Sequence, residues 1–159
     1  MANIFLDLEG TIIDLWSNPV LVNNAEMRQF LTANAVTEVR LFSFAVWSEF
    51  DQNVFNTQMK AFLEDKLSVK ILDCPTVFDF MKADTKVTGV NWWQDDIHDF
   101  ITMRGKVDAF RSWCRLHFDR QENILIDDVV PNLVCDNRDT GLVLEFINVN
   151  NLVDRLGDK

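Results

Sequence analysis

Apolar or β-rich segments with polar side chains at or near their ends most strongly restrict the fold of this chain. They span residues 3–6, 39–46 and 123–126. Continuous apolar runs of this length are typical of strands that are buried on both faces of a parallel sheet. Segments with the apolar spacing of helices separate them, at about 24–34, 49–66 and 105–117. This alternation predicts an α/β fold, a three-layer Rossmann-like parallel sheet with helices on both faces.

Further elements are predicted from the same patterns. Strands are expected at 69–72 and 143–147, and helices near 92–103 and 149–156. Pro19 and several Asn residues predict an irregular loop over 12–23. A chain of 159 residues, 48% of them hydrophobic, has the size of one domain, so we predict a single domain over 1–159. The less regular stretch 73–105 is expected to form a small insertion or lid.

The charge of the chain restricts its partners. The formal net charge is −10, from 25 acidic and 15 basic residues, and broad nucleic-acid binding requires a basic surface instead. The three cysteines are odd in number and lack metal-binding spacing, which indicates reduced thiols rather than disulfides or a zinc site. No targeting or membrane-spanning segment is recognisable, so we expect a cytoplasmic protein without membrane association.

Acidic residues follow two of the predicted strands. Asp7 follows the first strand, and Asp127 with Asp128 follows the strand at 123–126. Reactive groups gather outside the carboxyl ends of parallel strands, so these carboxylates are expected to converge if the two strands are neighbours. Mg²⁺ is usually held by a few carboxylate oxygens together with water and substrate phosphate. The pattern therefore predicts a Mg²⁺ site formed by Asp7, Asp127 and Asp128.

The segment that begins at Asp7 carries the groups that phosphoryl transfer needs. Asp is a recognised nucleophile in this chemistry, and Glu9 can protonate the leaving group and then activate water. Gly10 lets the backbone turn tightly beside a ligand, and the Thr11 hydroxyl can hold that turn. Lys106, at the start of a predicted helix, can neutralise the charge of a phosphate and of Asp7.

Four segments follow one another in a distinctive order. The first reads DLEGT from Asp7, and the second has Ser43 in LFSFAVWSE. The third is Lys106, and the fourth reads ILIDDVVPN, with Asp127 and Asp128. In this order they resemble the motifs of the haloacid dehalogenase (HAD) superfamily of phosphohydrolases, and the resemblance spans residues 4–132. It implies a HAD-like fold and a Mg²⁺-dependent phosphatase.

The resemblance also implies a role for each matching residue. Asp7 is expected to act as the nucleophile and Glu9 as the general acid and base. Ser43 and Lys106 are expected to bind phosphate, together with Thr11.

The same resemblance implies a metal site and an open active site. Asp127 and Asp128 are expected to hold Mg²⁺ together with Asp7 and Glu9, and Asn132 is expected to support them. Most phosphatases of the superfamily have Asp where this chain has Glu9, although its enolase-phosphatases also read DxEGT. The segments that carry cap domains in many relatives are short here, so the cap is expected to be reduced or absent.

Other residues compete for some of these roles. Ser48 also lies near the end of its predicted strand, but we prefer Ser43 because Ser48 is the expected N-cap of the following helix. Lys82 and Lys86 lie in a polar stretch where exposed lysine is the ordinary case, so Lys106 is preferred.

The aromatic residues of 92–103 are assigned to packing, and the two histidines are assigned no function. Trp92, Trp93 and Phe100 are predicted to pack along the buried face of a helix, with a stacking platform for a substrate or a partner as the alternative. His98 and His117 are isolated in the sequence and receive no role.

Two functions are consistent with these features. The first is a Mg²⁺-dependent phosphatase that hydrolyses a phosphomonoester through an aspartyl-phosphate on Asp7. Its substrate would be a nucleotide, a small metabolite or a phosphorylated polymer end. The second is a HAD-like protein with weakened catalysis that binds or regulates a protein partner through acidic and tryptophan-rich surfaces. A second copy of the chain is the other partner considered.

Overall fold

A sheet of six strands forms the centre of the computed structural model, which describes residues 2–137 and 141–152. The strands in this part of the chain are β1 (Asn3–Leu6), β2 (Ile13–Leu15), β3 (Asn18–Leu21), β4 (Glu38–Leu41), β5 (Lys70–Ile71), β6 (Glu122–Asp127), β7 (Leu133–Asn137) and β8 (Leu142–Asn148). The α-helices are α1 (Asn24–Ala33), α2 (Glu49–Val54), α3 (Lys60–Leu67), α4 (Val77–Thr88) and α5 (Ile97–His117). A π-helical turn, Phe55–Met59, joins α2 to α3, and 3₁₀ turns lie at Gln94–Asp96 and Val149–Asn151. Within the described ranges, no helix has both the length and the apolar character needed to cross a membrane.

The six strands of the sheet have the order β5, β4, β1, β6, β8, β7. Neighbouring strands are parallel except for β7, which pairs antiparallel with β8 at one edge. From β1 the chain passes first to β4 and β5 on one side, and later to β6 and β8 on the other. β1 is therefore the switch point of the sheet, the place where open α/β sheets bind ligands. This architecture is compatible with a Rossmann-like fold, and β7 is a departure from the all-parallel sheet predicted from the sequence.

Helices pack on both faces of the sheet because side chains alternate along its strands. In β1, Ile4 and Leu6 join a buried cluster that also contains residues of α1 and α3. Phe5, which lies between them, joins a second cluster with residues of α4 and α5. Phenylalanine is prominent in this second cluster, where the ring of Phe42 lies 4.1 Å from that of Phe80. β1 is thus enclosed between two layers of helices.

The segment 12–23 forms a hairpin, so the irregular loop predicted from Pro19 and its Asn residues was wrong. β2 and β3 pair antiparallel, with Ile13 opposite Leu21. Proline interrupts a central strand because it lacks an N–H group, but an edge strand does not need every N–H for pairing. Since this hairpin has two strands, both are edges, and Pro19 is tolerated in β3.

The helix α4 lies within the stretch 73–105, which was predicted to be less regular. It begins with a capping box, in which the Asp79 N–H donates to Thr76 Oγ1 and the Thr76 N–H donates to Asp79 Oδ2. Phe80 and Met81 of this helix are buried in the second cluster. The T-x-x-D signature of the cap, directly after Pro75, was the sequence signal that could have identified α4.

Other predicted elements are present with different bounds. The strand predicted over 39–46 covers Glu38–Leu41. The long helix predicted at 49–66 consists of α2, the π-helical turn and α3. The final helix predicted near 149–156 begins as the 3₁₀ turn at Val149–Asn151, and its part from residue 153 onward lies outside the described residues.

Gly105 divides α5 into two helical parts. Its φ of 65° and ψ of −177° are not helical, and glycine adopts a positive φ without the steric penalty of a side chain. The two parts correspond to the separate helices predicted near 92–103 and 105–117. Because of this break, Arg104 pairs with Asp84 on α4, whereas Lys106 reaches the carboxyl end of β1.

Asp84 is a buried carboxylate that accepts four hydrogen bonds from side chains. Its Oδ2 accepts from Trp92 Nε1 at 2.8 Å, Arg104 Nε at 3.0 Å and Thr88 Oγ1 at 3.2 Å. Its Oδ1 accepts from Ser112 Oγ at 2.7 Å. Burial opposes ionisation, but these donors outweigh it and hold the pKa of Asp84 below its ordinary value. The network therefore ties α4 to both parts of α5.

Replacing Asp84 with alanine is expected to lower the free energy of unfolding by about 3 kcal/mol or more, because Arg104 and Ser112 lose a buried acceptor. Urea unfolding followed by circular dichroism measures this loss. Asp108→Ala is the matched control, since Asp108 pairs at 2.8 Å with Arg111, which lies one turn later on α5, in an exposed position. An exposed pair contributes less than about 1 kcal/mol. Equal losses in the two variants would contradict the structural role of Asp84.

Candidate active site at the carboxyl end of the sheet

Asp7 lies at the carboxyl end of β1, at the switch point of the sheet. It is 5% exposed, and its backbone N–H donates to the carbonyl of Ile126 in β6 at 3.1 Å. The backbone then turns, because the carbonyl of Leu8 accepts from the N–H groups three to five residues later. This turn brings the buried Thr11 hydroxyl to Asp7, where Oγ1 donates to Oδ2 at 3.2 Å. Thr11 therefore holds one oxygen of the predicted nucleophile.

Lys106 joins Asp7 to Asp127. Its Nζ lies 2.9 Å from Asp7 Oδ1, 2.8 Å from Asp127 Oδ2 and 3.2 Å from the carbonyl oxygen of Phe42. Burial alone would lower the pKa of Lys106, but the two carboxylates outweigh burial and raise it. Burial raises the pKa of the Asp7 carboxyl, and Lys106 opposes that rise. The lysine therefore remains a cation between two buried acids.

Asp127 and Asp128 occupy different environments at the end of β6. Asp127 is fully buried, and its Oδ1 accepts from the Val129 N–H at 2.8 Å while Oδ2 faces Lys106. Asp128 is partly exposed, and no ion pair joins it to a basic side chain within residues 2–137 and 141–152. Burial, followed by the charges of Asp127 and Asp7, raises the pKa of Asp128 to about 6. Asp7 and Asp127 both contact Lys106, so Asp128 is the acid of this cluster that the described part of the chain leaves without a basic partner.

The three predicted metal ligands Asp7, Asp127 and Asp128 lie together. Each offers a carboxylate oxygen, and these oxygens are within 4.8 Å of one another. Carboxylate oxygens are hard ligands of the kind that Mg²⁺ prefers. A divalent cation here would also offset the repulsion that, after burial, raises the pKa of Asp128. The residues present therefore fit a Mg²⁺ ion.

Gly10 provides the space in which the Asp128 carboxylate lies. A Cβ atom built on Gly10 would be 2.1 Å from Asp128 Oδ2 and 2.6 Å from its Cγ. The backbone of Gly10 also has a φ of 77°, in the region that side chains disfavour. The turn after β1 therefore needs glycine both for its conformation and for the close approach of Asp128.

Glu9 contacts the hairpin, and the group formed by Asp7, Asp127 and Asp128 does not include it. Its Oε2 accepts from the backbone N–H of Trp16 at 2.7 Å, in the turn between β2 and β3. The hairpin, which the sequence analysis missed, thus positions the predicted acid. The roles of Glu9 as general acid and as Mg²⁺ ligand stay predictions.

Ser43 follows Phe42, whose carbonyl accepts from Lys106. Ser43 is 2% exposed, and its Oγ accepts from the Ala45 N–H at 3.1 Å. A hydroxyl that accepts this bond still has its own proton to donate to an anion. Ser48 is the N-cap residue of α2, as predicted, but its side chain makes no capping hydrogen bond. Capping thus gives no reason to prefer Ser43 over Ser48, and phosphate binding by either hydroxyl stays a prediction.

Asn132 supports the loop after β6 through Asn148. The sequence analysis did not single out Asn148. The Asn132 Oδ1 accepts from the Asn148 N–H at 2.9 Å. The Asn148 Nδ2 in turn donates to the carbonyls of Asp128 at 3.1 Å and Val130 at 2.9 Å. These bonds fix the loop that carries Asp128 to the end of β8. The available signal was the Asn that directly follows the last predicted strand, at 143–147.

The tryptophan pair divides between two environments. Trp92 packs against Phe100, with ring centroids 5.4 Å apart, and its indole N–H donates to Asp84. The packing predicted for Trp92 is confirmed, but Trp92 precedes the helix, which begins at Ile97. Trp93 is 68% exposed, so the same prediction was wrong for Trp93.

A cavity of about 340 Å³ lies near the opposite end of the strands. Its lining includes Asn3, Ile4 and Glu38, which belong to the amino-terminal parts of β1 and β4. None of the predicted site residues lines it. We therefore place the candidate site at the carboxyl end, where the ionisable groups converge.

Comparisons with protein-family models, with curated proteins and with solved structures gave no match to this chain. Its function must therefore be inferred from the residues and distances at the carboxyl end of the sheet.

Gly10→Ala is expected to weaken the stabilisation of the protein by Mg²⁺, because the new methyl group would displace Asp128. Gly89→Ala is the matched control, since Gly89 has a φ of 80° and nothing lies within 4 Å of an added Cβ. Both variants carry backbone strain of about 1–2 kcal/mol. Thermal unfolding with MgCl₂ or EDTA separates the two effects. A Mg²⁺-dependent rise in Tm that is equally large in both variants would contradict the proximity of Gly10 to the metal site.

Proposed function

We propose that this chain is a Mg²⁺-dependent phosphohydrolase with a HAD-like fold, which cleaves phosphomonoesters through an aspartyl-phosphate on Asp7. The observation that carries the proposal is the convergence of Asp7, Lys106 and Asp128 from three distant segments at the switch point of the sheet. Charged groups with shifted pKa values at such a place favour a functional site. The order of these residues along the chain also agrees with the resemblance to the HAD superfamily.

Asp7 is suited to nucleophilic attack because both of its oxygens are oriented. Thr11 donates to Oδ2, and Lys106 donates to Oδ1. In the first step, a carboxylate oxygen of Asp7 attacks phosphorus, and the bond from phosphorus to the leaving oxygen breaks. Holding the nucleophile in one orientation removes part of the entropic barrier to this step.

Glu9 would move the proton in both steps. The hairpin engages Oε2 through the Trp16 N–H, and the other oxygen can carry the proton. Glu9 gives this proton to the leaving oxygen as the ester bond breaks. In the second step it takes a proton from the water that attacks the phosphorus of the aspartyl-phosphate. The products are an alcohol, inorganic phosphate and regenerated Asp7, with one water consumed.

Positive charge is needed because a phosphomonoester must approach several carboxylates. Lys106 supplies one cation, and the surrounding acids keep it protonated. Mg²⁺, held by Asp7, Asp127 and Asp128, would supply further positive charge to the transferring phosphoryl group. Asp127 also contacts Lys106 and the Val129 N–H, so its part is to position the lysine as well. Asp128 supplies the carboxylate that protein cations neutralise least.

One contact favours the alternative, a HAD-like binding or regulatory protein with weakened catalysis. The Trp16 N–H engages the Glu9 carboxylate, which restricts its approach to a leaving group. In this alternative, exposed apolar side chains would contact a partner protein. Phe50 and Trp93, which are 75% and 68% exposed, are two candidates.

The first test is phosphate release from a panel of phosphomonoesters in Mg²⁺ or EDTA. Asp7→Asn is expected to reduce release to background, because the amide is not a nucleophile of this kind, and EDTA is expected to do the same. Glu38→Gln, which changes an exposed acid at the opposite end of the strands, is expected to retain activity. No release by the natural protein from any ester, with Mg²⁺ still raising its Tm, would favour the binding alternative.

Glu9→Asp is expected to lower kcat by about 100-fold or more, the usual contribution of a positioned general acid. The shorter side chain cannot keep its bond to the Trp16 N–H and also reach the leaving oxygen. Steady-state kinetics on the best ester of the panel measure the change, with Glu26→Asp on the exposed side of α1 as the control. A gain of activity in Glu9→Asp would instead indicate that Glu9 weakens catalysis.

A further inference from the structure

Aromatic side chains form one wall beside Lys106. The ring centroid of Phe44, the residue after Ser43, lies 4.8 Å from Lys106 Nζ. Trp47 belongs to the same loop, and its Nε1 donates to the carbonyl of Phe44 at 2.7 Å. The ring of His98 on α5 lies 5.2 Å from the ring of Trp47, nearly perpendicular to it at 81°. We call Phe44, Trp47 and His98 the aromatic wall.

The aromatic wall is not closed within the core. Phe44 and Trp47 are half-buried and His98 is exposed, whereas Phe42 and Phe100 behind them are fully buried. The wall therefore keeps part of its ring surface open to solvent next to the lysine of the site. Rings that combine an apolar face with a polar edge are typical of surfaces that bind a planar organic group.

We propose that the substrate is a nucleoside monophosphate, with its base against Trp47 and His98 and its phosphate at Lys106. This inference rests on the proposed function and adds the identity of the leaving group. Every nucleobase has a flat π face, and such faces stack on aromatic side chains regardless of base identity. Lys106 Nζ contacts the Phe44 ring, and Trp47 Nε1 donates to the carbonyl of the same residue, so the stacking surface adjoins the phosphate position.

The charge of the protein favours a mononucleotide over the end of a nucleic-acid strand. Each further phosphate of a strand would approach a chain with a formal net charge of −10. Two arginines of α5 are already paired, Arg104 with Asp84 and Arg111 with Asp108. A mononucleotide brings one phosphate, which Lys106 and Mg²⁺ would receive.

Calorimetric titration of the 159-residue Asp7→Asn chain in Mg²⁺ tests the inference without turnover. The probes are adenosine 5′-monophosphate, uridine 5′-monophosphate and ribose 5-phosphate. All three contain ribose and a 5′-phosphate, and only the two nucleotides carry a base. Both nucleotides are expected to bind at least about tenfold more tightly than ribose 5-phosphate, the usual contribution of base stacking. Trp47→Leu in the same background is expected to remove most of this preference and leave ribose 5-phosphate affinity unchanged. Trp93→Leu, an exposed tryptophan outside the wall, is the control and is expected to change neither.

Each other outcome would overturn the inference. Equal affinity for the three ligands would exclude a base site and leave the proposed phosphatase intact. Equal losses for all ligands in Trp47→Leu would mean that Trp47 only shapes the site by packing. His98→Ala is a second variant that is expected to fold, because His98 is exposed. It must weaken the binding of both nucleotides and leave the binding of ribose 5-phosphate unchanged. Failure of every ligand to bind, with Mg²⁺ still raising the Tm of the Asp7→Asn protein, would overturn the phosphate site itself, and with it the proposed function.

Discussion

The ammonium group of Lys106 lets two buried acids remain next to each other at the ends of β1 and β6. Asp7 and Asp127 are almost entirely removed from water, and β1 and β6 are directly paired. Buried like charges in such a position cost several kcal/mol unless a cation compensates them. Lys106 provides that cation from the helical layer, at 2.9 and 2.8 Å from the two acids. The order of the sheet, the turn after β1 and the break in α5 are all conditions for this one arrangement.

Two ionic centres with opposite properties lie within residues 2–137 and 141–152. Asp84 has a full set of donors, and its pKa is lowered, which is what a group that stabilises the fold requires. Asp128 lies near two further acids, and its pKa is raised to about 6. Such an acid destabilises its surroundings until a cation binds, which is characteristic of functional sites. The two centres are connected through Arg104 and Lys106, on either side of Gly105.

The strand-end acids could be predicted from the sequence because one local pattern, an apolar run followed by Asp, determines both their strand and their position. The hairpin after Asp7 could not, because its short strands contain Pro19 and pair only with each other. The support that Asn148 gives to Asp128 is a tertiary contact with no local signal beyond residue type. Likewise, the aromatic wall joins a loop to a helix distant in sequence, so Trp47 and His98 were not recognised as a pair.

The break at Gly105 makes the helical phases of the two parts of α5 independent of each other. Along an unbroken helix, inserting or deleting a residue rotates every later side chain by about 100°. Here the helical phase is reset at Gly105, and the anchors of Arg104 and Lys106 lie on different elements, α4 and β1. The helical phase before Gly105 can therefore differ without turning Lys106 away from Asp7, provided that Trp92 and Phe100 keep their contacts with Asp84 and the core. This modular junction makes the segment before Gly105 a natural place for new specificity to arise, by evolution or by engineering.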